Sequence, residues 1–283
     1  MLLALLLAAA PIQLQASVDG AKPKPGWVYA RVGQRVELLA IAKDAHDFRW
    51  FRVEPITPSV DNTQPSFHFA NIDFEETEID ACRGKSSCPA EVTPTKFAPV
   101  PQLAGAGTMA FKVTAIAKDG MTLSTPGRES MKWGGLTTEV FRVTFRRDDT
   151  LIGYASELLN TPYIFGSAGP DGRNQTDLLI GSDCADLAVY ARRRAGFKAE
   201  YTSSYGIDQQ AREVKGPARE GDVLHFPSMR HVAILFEDRE PKGVVTEDDL
   251  ILHTCWAPPT VQRIGDTTCV APPYRVLRFP SAR

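Results

Sequence analysis

Gly181-Ser182-Asp183-Cys184-Ala185-Asp186-Leu187-Ala188-Val189-Tyr190 reads as a short polar loop that delivers a cysteine to the first turn of a helix. From Cys184, the residues Leu187, Ala188 and Ala191 recur at helical spacing. Ser182 or Asp183 can cap the start, and Gly196 can close the end. A thiol in that place meets unpaired backbone N–H groups and the positive end of the helix dipole. Such surroundings lower a cysteine pKa from about 8.5 toward roughly 3.5–7.5. The expected role is nucleophile, set against the alternative of a small buried hydrophobe. Arg192, Arg193 and Arg194 near the helix end read as a solvated face.

Upstream, Asp148-Asp149-Thr150 offers an N-cap to a helix over 151–160, in which Leu151, Ala155, Leu158 and Leu159 share a face. Downstream, Val223-Leu224-His225-Phe226 and His231-Val232-Ala233-Ile234-Leu235-Phe236 are spaced as a hairpin, and Leu250-Ile251-Leu252-His253 as a third strand. Helix, loop, cysteine helix and then antiparallel strands make an α+β layout. A domain boundary is expected near residue 148, with a unit over 148–283.

The region before it is strand-like. Val36, Leu38, Ala40 and Ala42 alternate with Arg35, Glu37, Leu39 and Ile41. Phe111, Val113, Ala115 and Ala117 do the same before an Asp119-Gly120 turn, and Phe141, Val143 and Phe145 alternate with Arg142, Thr144 and Arg146. Short strands separated by Pro-rich stretches predict an all-β unit over 17–147, a sandwich or barrel. Trp50 weakly resembles the core aromatic of an immunoglobulin-like sandwich.

With 283 residues and a net charge of -2, the chain is long enough for one or two domains. Nothing in that balance argues for nucleic acid or for an electrostatic membrane anchor. Residues 1–10 form an apolar run too short to span a bilayer. They read as a secretory leader over 1–16, cut after Ala16, although no basic residue precedes the run. Five cysteines agree with export to the periplasm or outside the cell. Cys82 with Cys88 and Cys255 with Cys269 can close two local disulfides and leave Cys184 unpaired, with other pairings and reduced thiols as alternatives.

A cysteine nucleophile needs a base, and imidazole suits neutral pH. His231 opens a strand and His253 ends one, so both lie at strand ends where catalytic groups gather. His225 sits mid-strand and is expected to point at solvent. His46 and His68 belong to the first region and read as solvated or structural.

Taken together, Thr161-Pro162-Tyr163-Ile164-Phe165-Gly166, Asp183-Cys184-Ala185-Asp186-Leu187, Gly221-Asp222-Val223-Leu224-His225-Phe226, His231-Val232-Ala233-Ile234 and Leu252-His253 follow the order of motifs in NlpC/P60 cysteine peptidases, which they resemble over residues 150–280. The resemblance implies a papain-like α+β catalytic unit and hydrolysis of an amide in bacterial peptidoglycan stem peptides. It implies Cys184 as nucleophile, His231 as general base and His253 as the residue that orients it. It also implies Tyr163 beside the oxyanion site and Asp183 in substrate positioning. Ala185-Asp186 replaces the family's Ser-Gly, which puts an extra carboxylate near the site. The loop after Phe165 and the span between the two histidines are both longer than the family pattern.

No zinc spacing and no phosphate-binding glycine loop is present, so neither a metal nor another cofactor is expected. Two other readings stay open. One is a cell-envelope binding protein on an inactive hydrolase scaffold. The other is a papain-like amidase or acyltransferase with a different substrate.

Overall fold

The computed structural model describes residues 12–91, 97, 99–170 and 173–280. Among these, 35% lie in strands and 15% in helices, an α+β fold dominated by β-structure. The apolar run over 1–10 lies outside the described residues.

The first strands are β1 (Gln13–Val18), β2 (Lys24–Pro25), β3 (Val28–Arg31), β4 (Val36–Ile41), β5 (His46–Pro55) and β6 (Ser59–Asp61). They are followed by β7 (Phe74–Glu78), β8 (Ser87–Pro89), β9 (Gly107–Ile116) and β10 (Thr122–Ser124). The short pair β11 (Met131–Lys132) and β12 (Gly135–Leu136) precedes β13 (Phe141–Arg146). One sheet runs β2-β1-β4-β8, and a second runs β3-β13-β9-β5-β7 with β10 paired to β9.

The alternation of hydrophobic residues turns one face of each sheet toward a shared core. Leu14, Val36 and Leu38 of the first sheet meet Trp50, Phe111, Val113 and Val143 of the second. Trp50 is fully buried, and its indole N–H donates to the Lys85 carbonyl at 2.8 Å. The Cys82–Cys88 disulfide joins this core, and Cys255–Cys269 is also formed. Cys184 is left free. Two such bonds fit an oxidising compartment. Ala16 is buried in β1, opposite Leu38 of β4. The expected leader over 1–16 overlaps this strand, since Gln13 to Ala16 are four of its six residues.

The second unit contains α1 (Leu151–Ala155), β14 (Tyr163–Phe165), α2 (Cys184–Arg194) and α3 (Ile207–Gln210). Six antiparallel strands follow the helices: β15 (Arg212–Glu213), β16 (Val223–Phe226), β17 (His231–Glu237), β18 (Leu250–His253), β19 (Thr260–Arg263) and β20 (Arg275–Arg278). Their order is β15-β20-β16-β17-β18-β19. The expected hairpin is present, with Phe226 opposite His231 and Val223 opposite Ile234. Leu187, Ala188 and Ala191 of α2 pack on Val232 and Ile234 of this sheet. Leu224, Phe226, Leu235 and Ile251 form a separate cluster with Val270. Among the described residues no helix is long and apolar enough to cross a membrane.

The helix over 151–160 is shorter than the sequence suggests. Thr150 caps it, accepting the Gly153 N–H at 3.1 Å, but the α-helical turns end at Ala155 and tighten into a 3-10 turn over Ser156–Leu158. That turn brings Glu157 inward, where it has no exposure. Tyr190 Oη donates to its carboxylate at 2.7 Å, and Arg194 Nε at 2.6 Å. The Glu157 carbonyl accepts the Thr108 hydroxyl of β9 at 2.8 Å. Arg194 is therefore an anchor between the units, not part of a solvated face. Arg192 stacks over Phe197 and Arg193 over Tyr201, so the whole arginine run is engaged.

Contact between the units also buries Thr144, which alternation alone would expose. Arg142 is likewise buried. Its guanidinium donates to the carbonyls of Leu136 and Thr137 at 2.9 Å and stacks on Trp27. β14 adds in parallel to β6, pairing Tyr163 with Ser59 and Phe165 with Asp61. Asn62 then donates to the Gln175 side chain at 2.7 Å, which ties the loop after β14 to the first unit.

Glu157→Ala would leave Arg194 and Tyr190 without their buried acceptor. Breaking a buried ion pair in this way costs about 3–5 kcal/mol. Urea unfolding of the full chain should show a loss of that size, whereas Glu213→Ala on an exposed strand should change stability by less than about 1 kcal/mol.

Candidate active site

Asp183 is the N-cap of α2. Its Oδ1 accepts the N–H groups of Ala185 at 3.0 Å and Asp186 at 2.9 Å, which leaves Cys184 as the first helical residue. Gly181 permits the approach. A Cβ there would lie 2.5 Å from the Pro162 carbonyl oxygen and 2.7 Å from the Ile164 side chain. Without that side chain the loop lies flat on β14, and Ile164 N–H bonds the Ser182 carbonyl at 3.0 Å. This pairing places Tyr163 beside the cysteine. At the far end of α2, Gly196 takes φ +87° and donates to the Arg193 carbonyl.

Cys184 lies in a cleft of about 530 Å³. Phe165, Asp183, Asp186, Tyr205 and Arg230 contribute walls, and Phe67 reaches in from the first unit. Trp256 is 61% exposed and stands over both Tyr163 and Phe165, with ring centroids at 5.3 and 5.7 Å. Its backbone has φ +52°, an uncommon conformation for a bulky residue. Sequence reasoning passed over Trp256. The available signal was a lone aromatic directly after Cys255, and it carried no spacing argument.

The two histidines at strand ends do meet. His231 Nε2 lies 2.8 Å from His253 Nδ1, and both rings are buried. A third member is new: the Gln262 side-chain nitrogen lies 2.9 Å from His253 Nε2. Nothing local in the sequence marks Gln262, because its role depends on the pairing of β18 with β19. Among the described residues no hydrogen bond joins Cys184 Sγ to His231. The backbone N–H of the neighbouring Val232 favours the Cys184 thiolate.

His225 departs from its expected exposure. It is buried, with Nδ1 3.1 Å from Asp208 Oδ1 and its ring edge-on to Tyr205. The segment containing α3 covers that face of β16, which the strand pattern could not show. His46 and His68 are exposed on the first unit.

The electrostatics reverse the simple helix-dipole expectation. Burial pushes the Cys184 thiol up to about 12, and the carboxylates of Asp183 and Asp186 add to the rise. The backbone N–H groups of Val232 and Ala185 oppose it without overcoming it. Burial also raises Asp183 to about 6 and Asp186 well above the usual carboxylate range, where the nearby Asp183 adds to the effect. Asp186 accepts the Ser167 hydroxyl and has little exposure. Burial lowers His231 to about 4 and His253 to about 3, the latter helped by His231. At neutral pH the resting site therefore holds a protonated thiol and two neutral imidazoles. Burial raises the Tyr163 phenol as well, so it remains a hydrogen-bond donor.

Among the described residues no group of three or more His, Cys, Asp or Glu side chains is placed to hold a metal ion. Comparison with protein-family models, with curated proteins and with solved structures returned no match.

Alkylation of Cys184 by iodoacetamide should be slow at pH 7 and climb with pH into the alkaline range. Asp183→Asn keeps an oxygen to cap α2 but removes the adjacent negative charge, so it should lower the thiol pKa and speed alkylation at pH 8 several-fold. A rate plateau already reached at pH 6 in the wild type would contradict this account of the thiol.

Proposed function

We propose that this chain is an exported cysteine hydrolase that cleaves an amide bond in peptidoglycan stem peptides, with a papain-like catalytic unit of the NlpC/P60 kind. The observation that carries the reading is a free cysteine at a capped helix start in a cleft, on the helix that packs against the sheet holding a linked pair of histidines. The substrate class rests on the sequence resemblance. The two disulfides support export.

The chemistry starts from the neutral pair. Cys184 Sγ attacks the scissile carbonyl carbon as its proton passes to Nδ1 of His231. A tetrahedral oxyanion forms, facing the N–H of Cys184, which as the first helical residue has no intrahelical acceptor, and the Tyr163 hydroxyl. The C–N bond breaks as His231 returns its proton to the leaving amine. A thioester remains on Sγ. Water, deprotonated by His231, attacks that thioester, and the acid product leaves with the thiol restored. His253 holds His231 through its Nε2 throughout. Asp183, raised only to about 6, keeps a negative charge on one side of the cleft at neutral pH, which suits a substrate ammonium group.

A second reading draws on the protonated thiol and on the missing Sγ–imidazole bond: a binding protein that holds cell-envelope fragments without cutting them. One experiment separates the two. Stem peptides prepared from peptidoglycan are incubated with the full chain, and products are followed by mass spectrometry and by release of new amines. The hydrolase reading expects cleavage that Cys184→Ala reduces by at least about 10³-fold, with peptide binding retained. Undiminished cleavage by Cys184→Ala sinks the nucleophile assignment, and binding without cleavage by the wild type favours the second reading.

A further inference from the structure

His231, His253 and Gln262 form one hydrogen-bonded row across β17, β18 and β19. Gln262 pairs with Ile251 in the sheet, which sets its side chain diagonal to His253 on the same face. Among the described residues the two imidazoles have no other side-chain hydrogen-bond partner, and no carboxylate bonds to either ring. Each is the titratable neighbour of the other.

A neutral imidazole has one N–H donor and one bare nitrogen acceptor, so such a row has a direction. With the Gln262 nitrogen toward His253, the amide donates to His253 Nε2. His253 must then carry its proton on Nδ1 and donate it to His231 Nε2, which places the His231 proton on Nδ1. That nitrogen then has no lone pair for a thiol proton. Half a turn of the carboxamide reverses everything. The Gln262 oxygen accepts from His253 Nε2–H, His253 Nδ1 accepts from His231 Nε2–H, and His231 Nδ1 is bare. Amide oxygen and nitrogen fill the same space, so the two settings differ by one side-chain rotation and two proton positions.

We propose that Gln262 is a positioning residue that sets the direction of the His253–His231 row, oxygen toward His253, and so keeps Nδ1 of His231 bare to receive a proton. The row itself is observed with the amide nitrogen toward His253; the choice of the turned carboxamide, like the use of the base, rests on the cysteine-hydrolase reading. When Nδ1 takes the thiol proton, the His231 imidazolium keeps its Nε2–H on His253, and nothing beyond that nitrogen moves. Return of the proton to the leaving amine restores the starting row. A side chain that only donates would hold the row in the wrong direction, and an apolar one would leave it undirected.

The test is side-chain ¹⁵N NMR of the histidines in the full chain, for wild type, Gln262→Leu and Gln262→Glu, above the pH at which either ring protonates. The wild type should show His231 protonated at Nε2. Gln262→Leu should give a mixture of tautomers, and Gln262→Glu, which only accepts, should restore the Nε2–H form and shift titration of the pair to higher pH. A His231 protonated at Nδ1 in the wild type, a tautomer unchanged in Gln262→Leu, or a pair whose titration is unmoved in Gln262→Glu would each overturn the proposal. If stem peptides are cleaved, Gln262→Leu should lower kcat by ~10-fold with KM unchanged, a part of the usual general-base contribution, and Gln262→Glu should recover it. If tautomers follow Gln262 and no hydrolysis occurs, the row stands as proposed and the hydrolase reading alone fails.

Discussion

A carboxylate with no access to water survives only where its charge is met, and Glu157 is met from both units of the molecule. Tyr190 and Arg194 of the cysteine helix take its oxygens, and its own carbonyl takes a hydroxyl from β9, the central strand of the larger sheet of the first unit. Arg194 also lies over the ring of Tyr29 in that sheet, at 4.1 Å from the ring centroid. One end of α2 is thus pinned against the first unit, and Asp183 pins the other. Between these anchors Leu187, Ala188 and Ala191 settle on β17, and the position of Cys184 follows from the three constraints together.

At that helix start two effects compete, and their sizes decide the outcome. The end of a helix dipole is worth about 0.3–1 kcal/mol, less than one pKa unit at 1.36 kcal/mol. Removing a charged group from water costs several kcal/mol per ion. A thiolate beside a cap carboxylate loses on both counts, which is why Cys184 stays protonated although its place in the helix favours the anion. The same burial keeps His231 and His253 neutral. A neutral thiol and a neutral imidazole are a consistent resting pair, with charge separated only when a reacting group arrives.

What could be read from sequence was local. The Asp183 cap, the Asp119-Gly120 turn, the hairpin into His231 and the two short-range disulfides each depend on neighbours in the chain, and period-two alternation was enough to place Leu38, Phe111 and Val143 inside. The contact between His231 and His253 was what the motif resemblance implied, and it is present. Errors gathered where a distant segment decides what covers a face. Thr144 looks exposed until the second unit packs on its sheet, Arg142 until Trp27 and the carbonyls of Leu136 and Thr137 enclose it, and His225 looks solvated until the segment around α3 closes over it. Arg194 looks like a surface charge until Glu157 turns inward. Gln262 is legible only once β19 is known to pair with β18.

The parallel addition of β14 to β6 has an evolutionary meaning. The strand that carries Tyr163 has its backbone completed by Ser59, Val60 and Asp61, and the loop leading to Cys184 is fastened through Gln175 to Asn62. The cysteine-bearing half is therefore not a cassette that gene fusion could hand from one partner to another intact. A new upstream neighbour would have to bring an extended segment of the same register and a buried amide at its end. Residues 59–62 inherit the history of the site although they belong to the other half of the chain, and changes there are expected to be tolerated only in step with changes around Tyr163 and Gln175.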